Sequence, residues 1–129
     1  MRVSGVLISL AIAVLPVSVA GAGQDIDMGL GCASNPQRVG ACFSVYGRLS
    51  AYNGNPSLRI WPLGTHRLLG VIPDEEPRAI PSGIRQSVGF GREVWGDFQV
   101  CPFTMAKAGH MQFVCVESVS NVRTHEYRQ

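Results

Sequence analysis

The chain has 129 residues with eleven basic and nine acidic side chains, a formal net charge of +2. That length holds one domain and is too short for two. The near-balance of charge excludes the strong overall basicity of a dedicated nucleic-acid binder, so nucleic acid is not an expected partner.

Arg2 is the only charge among residues 1–22. An apolar run from Val3 to Ala20, interrupted by Ser4, Gly5, Ser9, Pro16 and Ser18, ends on Ala20-Gly21-Ala22. A positive start, an apolar centre and small residues before a polar continuation predict a secretory signal peptide over residues 1–22. The alternative, an uncleaved anchor, needs about 20 predominantly apolar residues, a limit this interrupted run comes near. A lipoprotein signal would use Cys32, which lies ten residues beyond the small-residue pattern. Removing 22 residues from 129 leaves 107, expected to be periplasmic or secreted with no transmembrane segment. In that oxidising compartment Cys32, Cys42, Cys101 and Cys115 are expected as disulfides, and the absence of a CxxC pair argues against zinc.

Residues 23–40 are an N-terminal extension. From residue 41 to 52 the chain alternates, with Ala41, Phe43, Val45, Gly47, Leu49 and Ala51 opposed to Cys42, Ser44, Tyr46, Arg48, Ser50 and Tyr52. Period two over this length predicts a half-buried strand, and Gly47 marks a bend or bulge in it. Asn53-Gly54 is a strong hairpin signal, and Leu58 and Ile60 then alternate with Arg59 and Trp61. A two-residue turn pairs Leu49 with Leu58, Tyr46 with Trp61 and Arg48 with Arg59. A slightly longer turn pairs Arg48 with Trp61 instead.

A turn at Gly64-Thr65 precedes a third predicted strand over 67–72. A long irregular connection follows from Pro73 to Arg92, with an acidic run Asp74-Glu75-Glu76 and a weak helical signal over 83–88 capped by Ser82. Two last strands are predicted over 94–103 and 111–122. A turn near Ala108 pairs Val100 with Val116, Pro102 with Val114, Phe103 with Phe113 and Cys101 with Cys115. That opposition favours Cys101–Cys115 and leaves Cys32–Cys42, although a bridge such as Cys42–Cys115 would also staple a small barrel. Residues 123–129 are a polar C-terminal tail.

The expected fold is therefore all-β over residues 41–122, a small five-stranded barrel, with a small two-sheet sandwich as the alternative. Three strands, an irregular connection and a hairpin resemble the order of the oligonucleotide/oligosaccharide-binding (OB) barrel. The phrases GRLSAYNGNPSLRIW and GDFQVCPF also look like those of small, uncharacterised exported β-rich proteins of bacteria. That resemblance implies no activity and no site residues.

From Met28 to Ile72 there is no acid, while Arg38, Arg48, Arg59 and Arg67 are basic. Tyr46, Arg48, Arg59, Trp61 and Arg67 form the candidate ligand-binding set. Paired guanidiniums hold a carboxylate, phosphate or sulfate while a neighbouring ring stacks a sugar. The same side chains equally suit a solvated sheet face, with the arginines paired to the acidic run or stacked on Trp61. His66 and His110 converge only if their two loops share one barrel end, and His125 lies in the tail. Ser87, in RQSVG, lacks the first glycine of a nucleophile elbow. No catalytic constellation, metal site or cofactor motif is present. The sequence thus favours an exported non-enzymatic binding module for an anionic or sugar-containing envelope ligand. An envelope interaction or inhibitor domain comes second, and a small hydrolase using His66, His110 and the acidic run comes third.

Overall fold

The structure, a computed structural model, describes residues 5, 11–13, 31–72 and 79–127. Nearly all of the predicted signal peptide, and the Asp74-Glu75-Glu76 run, lie outside those residues. Among the described residues no helix is long and apolar enough to cross a membrane.

Five strands form: β1 (Phe43–Ala51), β2 (Leu58–Pro62), β3 (Leu69–Val71), β4 (Arg92–Pro102) and β5 (Gln112–Glu126), with a helix α1 (Ser82–Ser87) between β3 and β4. They pair in the order β1-β2-β3-β5-β4, and β4 pairs back onto β1, so one sheet closes into a ring. The β3–β5 pair is parallel and the others are antiparallel. A single closed sheet replaces the alternative of two packed sheets.

Alternation decides what fills the ring. Leu49, Ile60, Leu69, Val94, Phe98, Val100, Val114 and Val116 point inward and are fully buried. Burial of each such side chain contributes about 1.5–3 kcal/mol relative to exposure. Ala79, Ile80 and Val88 join the same core, and Val116 N donates to Ala79 O at 2.7 Å. The connection between β3 and β4 is thereby anchored to β5. Its helix follows Pro81 at the cap position with no side-chain cap bond, so Ser82 begins the helix rather than capping it.

The first hairpin takes the longer of the two turns. Arg48 pairs with Trp61, Leu49 with Ile60 and Ser50 with Arg59, which corrects the Arg48–Arg59 and Tyr46–Trp61 pairs of the two-residue turn. Tyr52 N donates to Ser57 O at 2.7 Å, enclosing Asn53-Gly54-Asn55-Pro56 as the loop. Asn53 does not adopt the positive φ that a type I′ turn requires. Instead Pro56 is buried and packs on Gly70, where an added Cβ would lie 2.7 Å from Pro56 Cγ. Packing Pro56 onto the outer face of β3 beside Gly70 lengthens the loop and separates the two like charges. Gly47 is the bend: a Cβ there would sit 2.2 Å from Trp61 O, so only glycine lets β2 cross β1 this closely.

The last hairpin has the expected register at its turn, with Val100 opposite Val116 and Cys101 opposite Cys115. Two register shifts, between Gln99/Val100 and Trp95/Asp97, then carry β5 further along β4. Arg123 to Glu126 are consequently not a tail. They pair with Trp95 back to Arg92 and are exposed, so their polarity is that of a solvated strand.

The disulfides are Cys42–Cys101 and Cys32–Cys115, with Cα–Cα distances of 4.1 and 5.8 Å, which corrects the expected Cys101–Cys115 and Cys32–Cys42. Cys101 does face Cys115 across β4 and β5. However, β4 also pairs with β1, and one step beyond the Phe43–Val100 pair Cys42 faces Cys101 from the other side. The ring closure therefore presents Cys101 with a cysteine on each side, and Cys42 takes it. Cys115 instead holds the N-terminal segment through Cys32, whose N–H also donates to Glu117 Oε2 at 2.7 Å.

Candidate functional site

The outer face of β1, β2 and β4 carries Tyr46, Arg48, Trp61 and Trp95. Arg48 is flanked by Trp61 on β2 and Trp95 on β4, because the same residue is their register partner in both pairings. Its guanidinium carbon lies 5.2 Å from the Trp61 ring centroid and 5.9 Å from that of Trp95. Its Nε is 3.5 Å from Glu93 Oε2, a distance of Coulombic contact rather than hydrogen bonding, and the Nε itself is buried with no hydrogen-bond partner. Glu93, with only 12% of its side chain exposed, also lies 3.3 Å from His125 Nδ1 and accepts from Trp95 Nε1 at 3.2 Å. Arg48 is thus held by two rings and one carboxylate, and its charge is compensated within the face.

The aromatic rings form a connected row. Tyr46 and Trp61 each stand 6.2 Å from Trp95, the latter pair edge to face, and Tyr46 remains 46% exposed. Trp61 Nε1 donates to Thr65 O at 2.8 Å, tying the row to the loop after β2. Arg59 does not complete a double-guanidinium clamp with Arg48. It faces Ser50 across the sheet, stacks 4.6 Å above the Tyr52 ring and donates from Nε to Pro56 O at 3.0 Å.

Arg67 lies elsewhere. The end of β2, the starts of β1, β3 and β5, and the end of β4 share one end of the ring, as the antiparallel β1–β2 and β1–β4 pairs and the parallel β3–β5 pair require. The loops over 63–68 and 103–111 meet there and border a groove of about 530 Å³ lined by His66, Arg67, Lys107, His110 and Gln112 among others. Arg67 Nη2 donates to Gln112 Oε1 at 2.6 Å, while Gln112 Nε2 donates to Thr104 O at 3.1 Å. The topology brings the loops of His66 and His110 to one end of the ring, the condition for their convergence. Among the described residues no group of three His, Cys, Asp or Glu side chains is arranged to hold a metal ion. Ser87 Oγ donates to Gly83 O within α1.

Of the five candidate residues, Tyr46, Arg48 and Trp61 share one cluster, Arg59 sits beside the β1–β2 loop, and Arg67 belongs to the groove. Trp95, Glu93, Lys107 and Gln112 were missed. Trp95 and Glu93 alternate outward with Asp97 and Gln99 in the sequence, a strand-face signal, but only the β1–β4 pairing brings them to Arg48. Comparison of the chain with protein-family models, with curated proteins and with solved structures finds no match.

Proposed function

We propose that the protein is an exported, non-enzymatic binding module on an OB-type barrel, taking a sugar-containing ligand on the outer face of β1, β2 and β4. The OB reading is supported by the closed order β1-β2-β3-β5-β4, the parallel β3–β5 pair and the bend at Gly47. Export is supported by the signal-like residues 1–22 and by two disulfides, which persist in oxidising compartments.

One observation carries the ligand class: Tyr46, Trp61 and Trp95 present a connected aromatic row with Tyr46 nearly half exposed. Because Glu93 compensates Arg48, this face suits the apolar face of a sugar ring better than a bare anion. Titration with neutral and acidic oligosaccharides, followed by tryptophan fluorescence, tests it. Tyr46→Ala should weaken binding about threefold to tenfold at unchanged stability, the scale of one lost ring contact. Tryptophan emission that responds to none of these glycans would sink the reading.

A second reading, an interaction or inhibitor domain, is favoured by Phe90, 70% exposed, next to Gly91, whose carbonyl accepts from the N–H of half-exposed Tyr127. Phe90→Ser with Tyr127→Ser should then abolish recovery of an envelope partner while sparing glycan binding. Unchanged recovery by that variant removes this alternative.

A further inference from the structure

We infer that the groove at the disulfide-pinned end of the ring is a second site, which binds a phosphate or sulfate group. Its two walls come from stretches without acids: residues 28–72 contain none, and neither do residues 98–116. Two loops far apart in sequence therefore bring Arg67, Lys107, His66 and His110 to one concavity with no carboxylate in its lining. Like charges gathered without a counter-charge repel, and an anion in the groove relieves that repulsion.

Gln112 makes the cluster a site rather than a set of loose side chains. Its carbonyl oxygen accepts from Arg67 Nη2, and its amide nitrogen reaches Thr104 O on the opposite loop. Phe113 N donates to Thr104 Oγ1 at 2.8 Å, so the amide itself sits on a braced turn. On the other wall Thr65 Oγ1 donates to Pro62 O at 2.8 Å, and Trp61 Nε1 holds Thr65 O. A neutral amide orients the guanidinium without cancelling its charge, and a guanidinium has further N–H groups to offer. A carboxylate in the same place would have neutralised it.

The donor count selects the ligand. A carboxylate has two oxygens, whereas a tetrahedral oxyanion has enough to meet a guanidinium edge, an ammonium and one or both imidazoles together. The groove's volume, about 530 Å³, exceeds that of a lone ion and falls in the range of small-molecule sites. The group is accordingly an ester of phosphate or sulfate. The site stands apart from the aromatic face and does not depend on the glycan reading.

The test uses the oxidised protein, labelled with 15N, titrated with inorganic phosphate, inorganic sulfate and acetate at fixed ionic strength. Saturable amide shifts confined to residues 66–68 and 107–112 are expected with phosphate and sulfate, and weaker ones with acetate. Arg67→Gln with Lys107→Gln should lower affinity at least tenfold, since each lost charge near 4 Å is worth about fivefold even in water. Gln112→Glu, which keeps a partner for Arg67 but cancels its charge, should lower it about fivefold on the same scale. Tyr46→Ala should leave it unchanged. Shifts that never saturate, that spread over the whole surface, or that saturate with the parent's affinity in both groove variants overturn the site. Once the ion binds, vesicles containing phosphatidic acid and a hexose phosphate separate the sources. Retention on vesicles assigns the group to a lipid headgroup, and binding of the soluble ester alone assigns it to a sugar.

Discussion

Arg48 and Arg67 come from the same acid-free stretch, yet the ring places them in opposite electrostatic situations. Arg48 lies in the middle of the sheet between Trp61 and Trp95, with Glu93 as its counter-charge. Arg67 lies at the end of the ring, oriented by the neutral amide of Gln112 and accompanied by Lys107, His66 and His110. Both side chains are positioned, but only one keeps its charge available. A basic residue thus marks a ligand site by the chemistry of whatever fixes it. A carboxylate makes it a structural tie, and an amide leaves it a binding group.

The covalent frame on which the groove depends carries the most stability. Cys42–Cys101 and Cys32–Cys115 close loops over sequence separations of 59 and 83 residues, both at the groove end. Cys42→Ser with Cys101→Ser should lower stability by about 2–4 kcal/mol, measured by urea unfolding. Amides of residues 103–111 should exchange with solvent faster than those of the aromatic face. Uniform loss of protection across both regions would show that the disulfide does not distinguish them.

Gly47→Ala strikes the aromatic face instead. Its Cβ would lie 2.2 Å from Trp61 O and 2.9 Å from Trp61 C, both backbone atoms. The strands must part, at a cost of about 1–3 kcal/mol, and the near-ultraviolet circular dichroism of the tryptophans should change. Phosphate shifts in the groove should survive at temperatures where the variant is folded. A variant as stable as the parent would mean that β1 and β2 do not cross this closely.

Glu93→Gln isolates the tie itself. It leaves Arg48 between two rings without a counter-charge, but Arg48 retains 33% exposure, so solvent screening limits the loss to about 1 kcal/mol. A double-mutant cycle with Arg48→Met should return a coupling of about 0.5–1 kcal/mol that shrinks in salt. Additive losses would reduce the Arg48–Glu93 contact to coincidence.

The faces of this fold were legible in the sequence, and its closures were not. Alternation over residues 43–51 and 58–62 assigned Leu49 and Ile60 to the core and Arg48 and Trp61 to the outside. It did not choose between two registers for the first hairpin, because a shift of two residues leaves every side chain on its own face. Burial of Pro56 made that choice, and burial of a loop proline is a tertiary fact. Near its turn the last hairpin was readable down to the Cys101–Cys115 opposition, but the bulges beyond Val100 carried no comparable signal. Pairing of β1 with β4 joins segments 45 to 57 residues apart, as in Leu49–Val94 and Phe43–Val100. Everything it creates escaped local pattern: the Cys42–Cys101 bridge, the place of Trp95 and the partnership of Arg48 with Glu93. The groove escaped for the same reason, since its loops meet through the β1–β4 pair and the parallel β3–β5 pair, both distant in sequence.

Removing the groove's two charges decides most sharply between the two arginines. Arg67→Gln with Lys107→Gln removes two surface charges that touch no carboxylate among the described residues. Stability should stay within about 0.5 kcal/mol of the parent. At low salt any change should be a gain, because the repulsion that Arg67 and Lys107 contribute is removed, and added salt should erase it. Arg48→Met should do the reverse, losing about 1 kcal/mol through its rings and carboxylate while leaving phosphate affinity untouched. Urea unfolding at two salt concentrations, with phosphate titration of the same samples, reads both quantities together. Should the groove variant lose stability as Arg48→Met does, Arg67 would be a structural tie like Arg48. The rule that the fixing group tells a tie from a binding site would then fail in this protein.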